Sequence, residues 1–136
     1  MKDVVLYLDK LSPQLEQVLI DMCPKDIDLR FLQPNIGRKG EISDATIFFD
    51  TIYMVTREVI DAAPGLRLIQ RTGVGVDMVD VAYAREKGIP VSISAGCNSV
   101  SVAELTIALM LALYRHIPQL DISTKKRFVG RLDLSA

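Results

Sequence analysis

Short apolar runs alternate with segments of helical spacing over residues 1–99. The runs are rich in β-branched and aromatic residues, and they predict strands at residues 4–8, 29–32, 45–49, 66–70 and 89–93. Helices are predicted from Ser12 and Pro13, over residues 56–63 and over residues 79–86, with Gly88 in the position of a left-handed cap. This alternation predicts an α/β fold, an open parallel sheet with helices on both faces.

A long apolar helix is predicted from Val100 to Ile117, and it differs from the helices before it. Between Leu105 and Tyr114 only Thr106 is polar. A helix that is apolar around its whole circumference needs cover on all sides, and one small sheet covers only one side of it. The pattern therefore predicts that this helix packs against a second domain or a second subunit.

The two ends of this helix carry ordinary helix signals. Ser101 and Glu104 predict a capping box at its start, and the segment is too short to span a membrane. His116, the only histidine, is assigned to the last turn, where the helix dipole favours an imidazolium, rather than to catalysis. After Pro118 the apolar periodicity fades, so the basic stretch at residues 125–127 is predicted to belong to a solvated connection.

The loop after the fourth predicted strand carries the strongest chemical signal, and it reads Arg71-Thr72-Gly73-Val74-Gly75-Val76-Asp77. Its two glycines allow a ligand to approach the backbone closely and let successive N–H groups point at it. A carboxylate would accept two such bonds, each contributing about 1.5–3 kcal/mol. The alternative is a tight strand-to-helix turn that binds nothing.

This glycine pattern does not match the dinucleotide fingerprint. Met78 stands where the third glycine would be, and Ala95 and Gly96 stand where an acidic residue would end the next strand. No Walker loop occurs in the sequence. We therefore expect no cofactor-binding residues in this chain.

A second loop, residues 94–99, precedes the apolar helix. Asn98 is a candidate hydrogen-bonding residue at the mouth of the site formed by the glycine loop, and the alternative is an Asx turn that leads into the capping box. Cys97 lies near the predicted helix start, but no histidine is close in sequence to act as its base, so catalysis is not assigned to it.

Composition removes several classes of function. The 136 residues carry 16 basic and 17 acidic side chains, a net charge of −1, which gives no support for binding to nucleic acid or to an anionic membrane. Cys23 and Cys97 lie far apart without a CxxC pair, so neither a disulfide scaffold nor a metal site is predicted. The chain start has no signal-peptide layout, and a reduced cytoplasmic protein is expected.

Four blocks resemble the D-isomer-specific 2-hydroxyacid dehydrogenases, including their phosphoglycerate dehydrogenase-like members. They lie at residues 64–69, 73–80, 88–91 and 98–104, and they read PGLRLI, GVGVDMVD, GIPV and NSVSVAE. The order and spacing of the blocks match over roughly residues 50–120. The resemblance implies a flavodoxin-like first domain of a two-domain, usually dimeric enzyme.

The resemblance also implies a chemistry and a set of site residues. The enzyme would interconvert a D-2-hydroxy acid and a 2-keto acid with NAD or NADP, and backbone N–H groups of the loop Gly73, Val74 and Gly75 would bind the substrate carboxylate. Asn98 would line the cleft between domains, and the helix from Val100 to Ile117 would lie at a homodimer interface. Residues 1–99 are then the substrate domain and residues 100–136 the interdomain or dimerisation helix and linker.

In that family the nucleotide fingerprint and the catalytic Arg, Glu and His lie downstream of this helix. We therefore expect no catalytic residue in this chain, no tight NAD or NADP binding and no dehydrogenase activity from these 136 residues alone. A non-catalytic domain that binds small carboxylates or dimerises is the alternative. Asp9, Asp50 and Thr72 follow predicted strands, as the phosphorylation-site residues of a receiver-like signalling domain do. The chain lacks the acidic pair at the first site and the lysine after the fifth strand that such a domain requires.

Overall fold

The computed structural model describes residues 2–32 and 42–132, with side chains up to Arg127. The chain divides into two compact units, Met1–Ala95 and Gly96–Ala136. The division falls near residue 99, where the sequence predicts the end of the substrate domain, and the functional meaning of that boundary stays a prediction.

The first unit is built on a parallel sheet of five strands in the order β2-β1-β3-β4-β5. The strands are β1 (Asp3–Tyr7), β2 (Ile27–Phe31), β3 (Ile47–Asp50), β4 (Leu68–Arg71) and β5 (Val91–Ser92). This order is that of the flavodoxin-like doubly wound sheets. The predicted parallel α/β sheet is confirmed.

The core of this unit begins with one row of side chains across the three central strands. Leu6, Phe48 and Ile69 are partners in the strand register, and none is more than 1% exposed. Residues in register on parallel strands share a face of the sheet, so the row forms one apolar layer. Complete burial of each such side chain stabilises the fold by about 1.5–3 kcal/mol.

Among the described residues of this unit, three connecting helices have defined bounds: α1 (Pro13–Met22), α2 (Arg57–Asp61) and α3 (Val81–Glu86). Ser12 caps α1 as predicted, its hydroxyl accepting the N–H of Leu15 at 3.3 Å, and Pro13 occupies the first turn, where no N–H is needed. The Asp80 carboxylate caps α3 in the same way, 2.9 Å from the N–H of Tyr83.

Gly88 ends α3 in the left-handed conformation that the sequence predicts, with φ of 73°. The N–H of Ile89 bonds the carbonyl of Ala84 at 2.8 Å, which is the Schellman pattern. This cap is one reason why β5 is shorter than the predicted strand at residues 89–93. Ile89 is used by the cap and Pro90 has no N–H to donate, so pairing starts at Val91.

The second unit contains two helices, α4 (Ser99–Tyr114) and α5 (Ile117–Leu132), where the sequence predicts one helix and a connecting segment. The predicted helix from Val100 to Ile117 therefore ends too late, because His116 takes a positive φ of 55° and turns the chain. The segment predicted as a solvated connection after Pro118 is helical, its described side chains are exposed, and its connecting role stays a prediction. Pro118 stands in the first turn of α5, where its missing N–H breaks no helical bond.

Two local predictions at the ends of α4 are wrong as well. Ser101 and Glu104 lie inside α4 and form no capping box, because the helix begins at Ser99 with Asn98 as its cap. His116 lies beyond the last helical turn, after the cap residue Arg115. Apolar periodicity locates the helix but does not reveal where the backbone leaves it.

The apolar character of α4 is evident, and its packing against a second domain or a second subunit stays a prediction. The large apolar side chains of α4 are between 54% and 83% exposed. No single helix in the described part of the chain is long and apolar enough to cross a membrane. The pair formed by α4 and residues 117–127 meets that test only jointly, with a bend of 62° between its members.

Replacement of Gly88 by Ala is expected to lower the free energy of unfolding by about 1 kcal/mol. The added Cβ meets open space, so the loss comes from the left-handed backbone alone. Gly65→Ala is the matched control, because its Cβ makes only an ordinary 3.9 Å contact with the Ala45 carbonyl and its backbone is not left-handed. Urea unfolding of both variants measures the difference, and equal losses would contradict the strain at Gly88.

Candidate functional site

The candidate site lies at the carboxyl edge of the sheet, where the loops after β1, β3 and β4 meet. Parallel sheets bind ligands at this edge, and the connections run in opposite directions from β1 and β3, which makes the edge beside them the switch point. Asp9 follows β1, Thr51 follows β3 and Gly73 follows β4. The predicted glycine loop is therefore placed where the fold class puts ligands.

The loop from Gly73 to Gly75 lies at the surface. Val74 is 57% exposed, and a Cβ added at Gly73 would meet nothing within 4 Å. Within the described part of the chain, no hydrogen bond is donated by the N–H of Val74 or of Gly75. These groups are the donors that the sequence proposes for a carboxylate, and whether they bind one stays a prediction.

Two hydrogen bonds hold this loop by its carbonyls. The N–H of Ser94 donates to the carbonyl of Gly73 at 3.1 Å, and the Arg71 Nε donates to the carbonyl of Gly75 at 2.9 Å. The Ser94 hydroxyl also donates to the carbonyl of Arg71 at 3.0 Å. Sequence reasoning missed Ser94 and the role of Arg71, because both contacts depend on how the strands pair.

A buried ion pair lies directly beneath the loop. Asp50 and Arg71 are the last residues of β3 and β4, they are register partners, and the Arg71 guanidinium donates to the Asp50 Oδ1. Asp50 is 0% and Arg71 5% exposed. They lie two residues beyond Phe48 and Ile69, so they continue the apolar layer on the same face.

The Asp50 carboxylate is held in a costly environment. Its Oδ2 is buried and has no hydrogen-bond partner among the residues that the structure describes. Burial raises the pKa of this carboxyl from its usual 3.8 to about 6, although the Arg71 guanidinium favours the charged form. The stability that this group contributes is therefore greatest below pH 3.8 and is lost as the pH rises through about 6.

Polar groups also connect the ends of the three central strands. The Tyr7 hydroxyl lies 3.0 Å from the Thr51 hydroxyl, which lies 2.9 Å from that of Thr72. The Asp9 carboxylate accepts the N–H groups of Thr51 and Ile52, the latter at 3.2 Å. Asp9 is thus used to hold the loop after β3, an arrangement that gives the receiver-like alternative no support.

The match to known families decides the family of the chain. Residues 5–129 match the D-isomer specific 2-hydroxyacid dehydrogenase family in its catalytic domain. The chain belongs to this family. The resemblance noted from the four sequence blocks is confirmed.

Relatives of known activity agree with that assignment. The chain is 52% identical over 82 residues to a D-3-phosphoglycerate dehydrogenase of Methanocaldococcus jannaschii, covering 56% of this chain and 16% of the relative. It is 39% identical over 131 residues to a D-3-phosphoglycerate dehydrogenase of Synechocystis, covering 88% of this chain and 23% of the relative. The chain thus spans less than a quarter of the length of either relative.

Solved structures of the family share the fold. A 2-hydroxyacid dehydrogenase from Ketogulonicigenium vulgare superposes with a TM-score of 0.74 and 27% identity, covering 92% of this chain and 40% of that one. D-lactate dehydrogenase from Aquifex aeolicus, complexed with NAD and lactic acid, superposes with a TM-score of 0.72 and 26% identity, covering 97% of this chain and 38% of that one.

Two further residues that the sequence analysis considers for the site, Asn98 and Cys97, lie in the second unit. Asn98 is exposed at the cap of α4, where its carbonyl accepts the N–H of Val102 at 3.0 Å and its side chain makes no capping bond. The Asx-turn alternative is thus not observed, and its predicted place in a substrate cleft stays a prediction. Cys97 is also exposed. Among the described residues, no three His, Cys, Asp or Glu side chains are grouped to hold a metal ion.

The Asp50–Arg71 pair is expected to show strong coupling in a double-mutant cycle. Arg71→Met leaves a buried carboxylate without its cation, and Asp50→Asn leaves a buried guanidinium without its anion, so each should lower the free energy of unfolding by about 3–5 kcal/mol. The double variant Asp50→Asn/Arg71→Met should lose clearly less than the sum of the two. Urea unfolding near pH 7 measures all three.

The exposed pair of Arg67 and Asp3 provides the matched cycle, since Arg67 is 64% exposed. Asp3→Asn and Arg67→Met should couple by less than about 1 kcal/mol, because solvent screens the pair. If the losses from Asp50→Asn and Arg71→Met simply add in the double variant, the two side chains are not energetically coupled, and the predicted role of the ion pair is wrong.

Proposed function

We propose that this chain is the substrate-binding part of a dehydrogenase that interconverts a D-2-hydroxy acid and a 2-keto acid with NAD or NADP. The observation that carries the proposal is the glycine loop, which presents the N–H groups of Val74 and Gly75 at the carboxyl edge of the sheet. A carboxylate is the feature that hydroxy and keto acids of this class share. Two backbone donors fit its two oxygens, and each charge-assisted bond contributes about 1.5–3 kcal/mol.

The substrate class is supported by what is known of similar proteins. The Aquifex aeolicus enzyme was solved with NAD and lactic acid, and a similar protein of Thermotoga maritima, 46% identical over 72 residues, is a hydroxypyruvate reductase. Both names describe small 2-hydroxy or 2-keto acids. The loop recognises the carboxylate rather than the rest of the acid, so the side chain of the substrate is left open.

The described residues do not fit a dinucleotide. In the nucleotide fingerprint the glycines open directly into a helix, whose N-terminus receives the pyrophosphate. Here α3 begins only at Val81, six residues after Gly75, and Met78 stands where the third glycine would be. We therefore propose that this chain alone neither binds NAD or NADP tightly nor transfers a hydride.

We also propose a homodimer interface along the stretch from Val100 to Ile117, which contains most of α4 and ends at the first residue of α5. Its exposed apolar side chains are distributed around the helix rather than on one stripe. Contiguous apolar surface of this kind marks an interaction site in a folded protein. Both cysteines are thiols, which agrees with a reducing compartment, and we place the protein in the cytoplasm.

Pyruvate is the probe that tests carboxylate binding. In a titration followed by ¹H–¹⁵N spectra, the amide signals of Val74 and Gly75 are expected to shift most. Val74→Pro removes one donor and should weaken binding about tenfold or more, whereas the control Val74→Ala keeps the N–H and should bind as the original chain does.

Shifts confined to residues away from residues 73–75 would contradict the proposed site. The same chain should not oxidise NADH in the presence of pyruvate, and steady NADH oxidation by the pure protein would overturn the proposed inactivity.

The homodimer is tested by charge substitution on α4. Leu105→Glu with Leu109→Glu places two charges one turn apart on the same face, and the variant is expected to be monomeric by sedimentation equilibrium. Val18→Glu on α1 is the control, because Val18 is 49% exposed and lies outside the proposed interface. A monomeric original chain, or a dimer that survives the α4 substitutions, would contradict the interface.

A further inference from the structure

The orientation of the glycine loop depends on two fixed peptide groups. A trans peptide is planar, so a bond that holds a carbonyl also sets the direction of the N–H in the same peptide. The bond from Ser94 to the Gly73 carbonyl thus fixes the N–H of Val74, and the bond from Arg71 to the Gly75 carbonyl fixes the N–H of Val76. The peptide that carries the Gly75 N–H lies between these two.

Arg71 can fix the second peptide only while its own position is fixed. Its guanidinium bridges the Asp50 carboxylate and the Gly75 carbonyl, using separate nitrogens for the two contacts. A guanidinium is planar, so the anchor on one side determines where the Nε–H points on the other. Asp50 is 0% exposed at the end of β3, whereas Val74 in the loop is 57% exposed.

We propose that Asp50 is a positioning residue for carboxylate recognition: acting through Arg71, it holds the Gly75 carbonyl and so keeps the donors of the glycine loop aimed at a bound carboxylate. This inference rests on the proposed function, because it assigns a purpose to the loop geometry. It does not place Asp50 in contact with the substrate.

The ionisation of Asp50 gives the proposal a measurable consequence. Among the described residues, three ionisable groups surround Asp50. Arg71 faces it from β4, and Asp9 follows the neighbouring strand β1. The Tyr7 hydroxyl, at the end of β1, hydrogen-bonds the hydroxyl of Thr51, the residue after Asp50. Burial, together with the charge of Asp9, raises the pKa of Asp50 to about 6 against the effect of Arg71. Protonation of Asp50 removes the anionic anchor of Arg71, so the loop should loosen as the pH falls through that value.

The test follows the amide signals of Val74, Gly75 and Val76 in the full chain between about pH 5 and pH 8. We expect all three signals to titrate together with a midpoint near 6, and Asp50→Asn to abolish this titration. Asp77→Asn is the matched control. A Cβ at Gly75 would lie 2.9 Å from the Asp77 Oδ1, so this carboxylate is the other acid able to affect the loop. The titration should survive its removal.

Pyruvate affinity provides the second readout. The original chain should bind pyruvate about fivefold more weakly near pH 5 than near pH 8, and the Asp50→Asn variant should bind weakly at both. Arg71→Lys should resemble Asp50→Asn, since an ammonium lacks the fork that spans both partners. The titration of the original chain needs no variant. The proposal can therefore be refuted even if a variant fails to fold.

The two proposals fail in different ways. If pyruvate binds but the loop signals titrate unchanged in Asp50→Asn, the positioning role is wrong and the proposed function stands. If the loop titrates through Asp50 while pyruvate binds at no pH, the anchoring by Asp50 stands and the carboxylate site is wrong. A loop that does not titrate near pH 6 in the original chain overturns the positioning role directly.

Discussion

The edge of the sheet depends on one buried ion pair between the last residues of β3 and β4. A carboxylate and a guanidinium removed from water lose several kcal/mol of hydration each, and their attraction balances this loss only when the geometry is well fixed. Asp50 and Arg71 meet that condition because the register of two adjacent strands places them side by side on the core face. The same guanidinium then reaches the Gly75 carbonyl, so the rigidity of the sheet is passed to an exposed loop. A loop with two glycines needs such an anchor, because glycine leaves the unbound backbone free to take many conformations.

A site made of backbone N–H groups is selective for a functional group and indifferent to the rest of the ligand. This property fits the range of proteins that resemble the chain, whose names include lactate, phosphoglycerate, hydroxypyruvate and formate. Formate has a carboxylate and no side chain, while phosphoglycerate carries a second anionic group. A recognition element common to such acids has to act on the carboxylate, and main-chain donors supply it without any particular side chain. Under the proposed function, discrimination between substrates would fall to groups outside the glycine loop, and the loop would select a class of acid but no single one.

The sequence predicted those features that depend on short-range periodicity and missed those that depend on strand pairing. The strands, the Ser12 cap and the left-handed Gly88 all follow from residues within a few positions of one another. Asp50 and Arg71 are 21 positions apart and become partners only through the register of β3 and β4. A signal was present at Asp50, which directly follows the apolar run Ile47-Phe48-Phe49, whereas Arg71 follows the polar Gln70. Ser94 was missed for the same reason, while the break at His116 was missed because its positive φ leaves no mark on apolar periodicity. The glycine loop was located from its residue types alone, and its binding of a carboxylate stays a prediction.

The two units handle apolar surface in opposite ways, and the contrast bears on how the protein functions. In the first unit the central row of Leu6, Phe48 and Ile69 is almost completely buried. In the second, α4 leaves large apolar side chains more than half exposed, each worth about 1.5–3 kcal/mol if fully covered. Burial of several of them on each of two copies would be of the same order as the roughly 4–15 kcal/mol lost in association. The solved relatives are more than twice as long as the chain, which covers about 40% of each. Under the proposed function the two features would act together: the glycine loop would recognise the carboxylate, and the apolar helix would provide the surface on which a second copy packs.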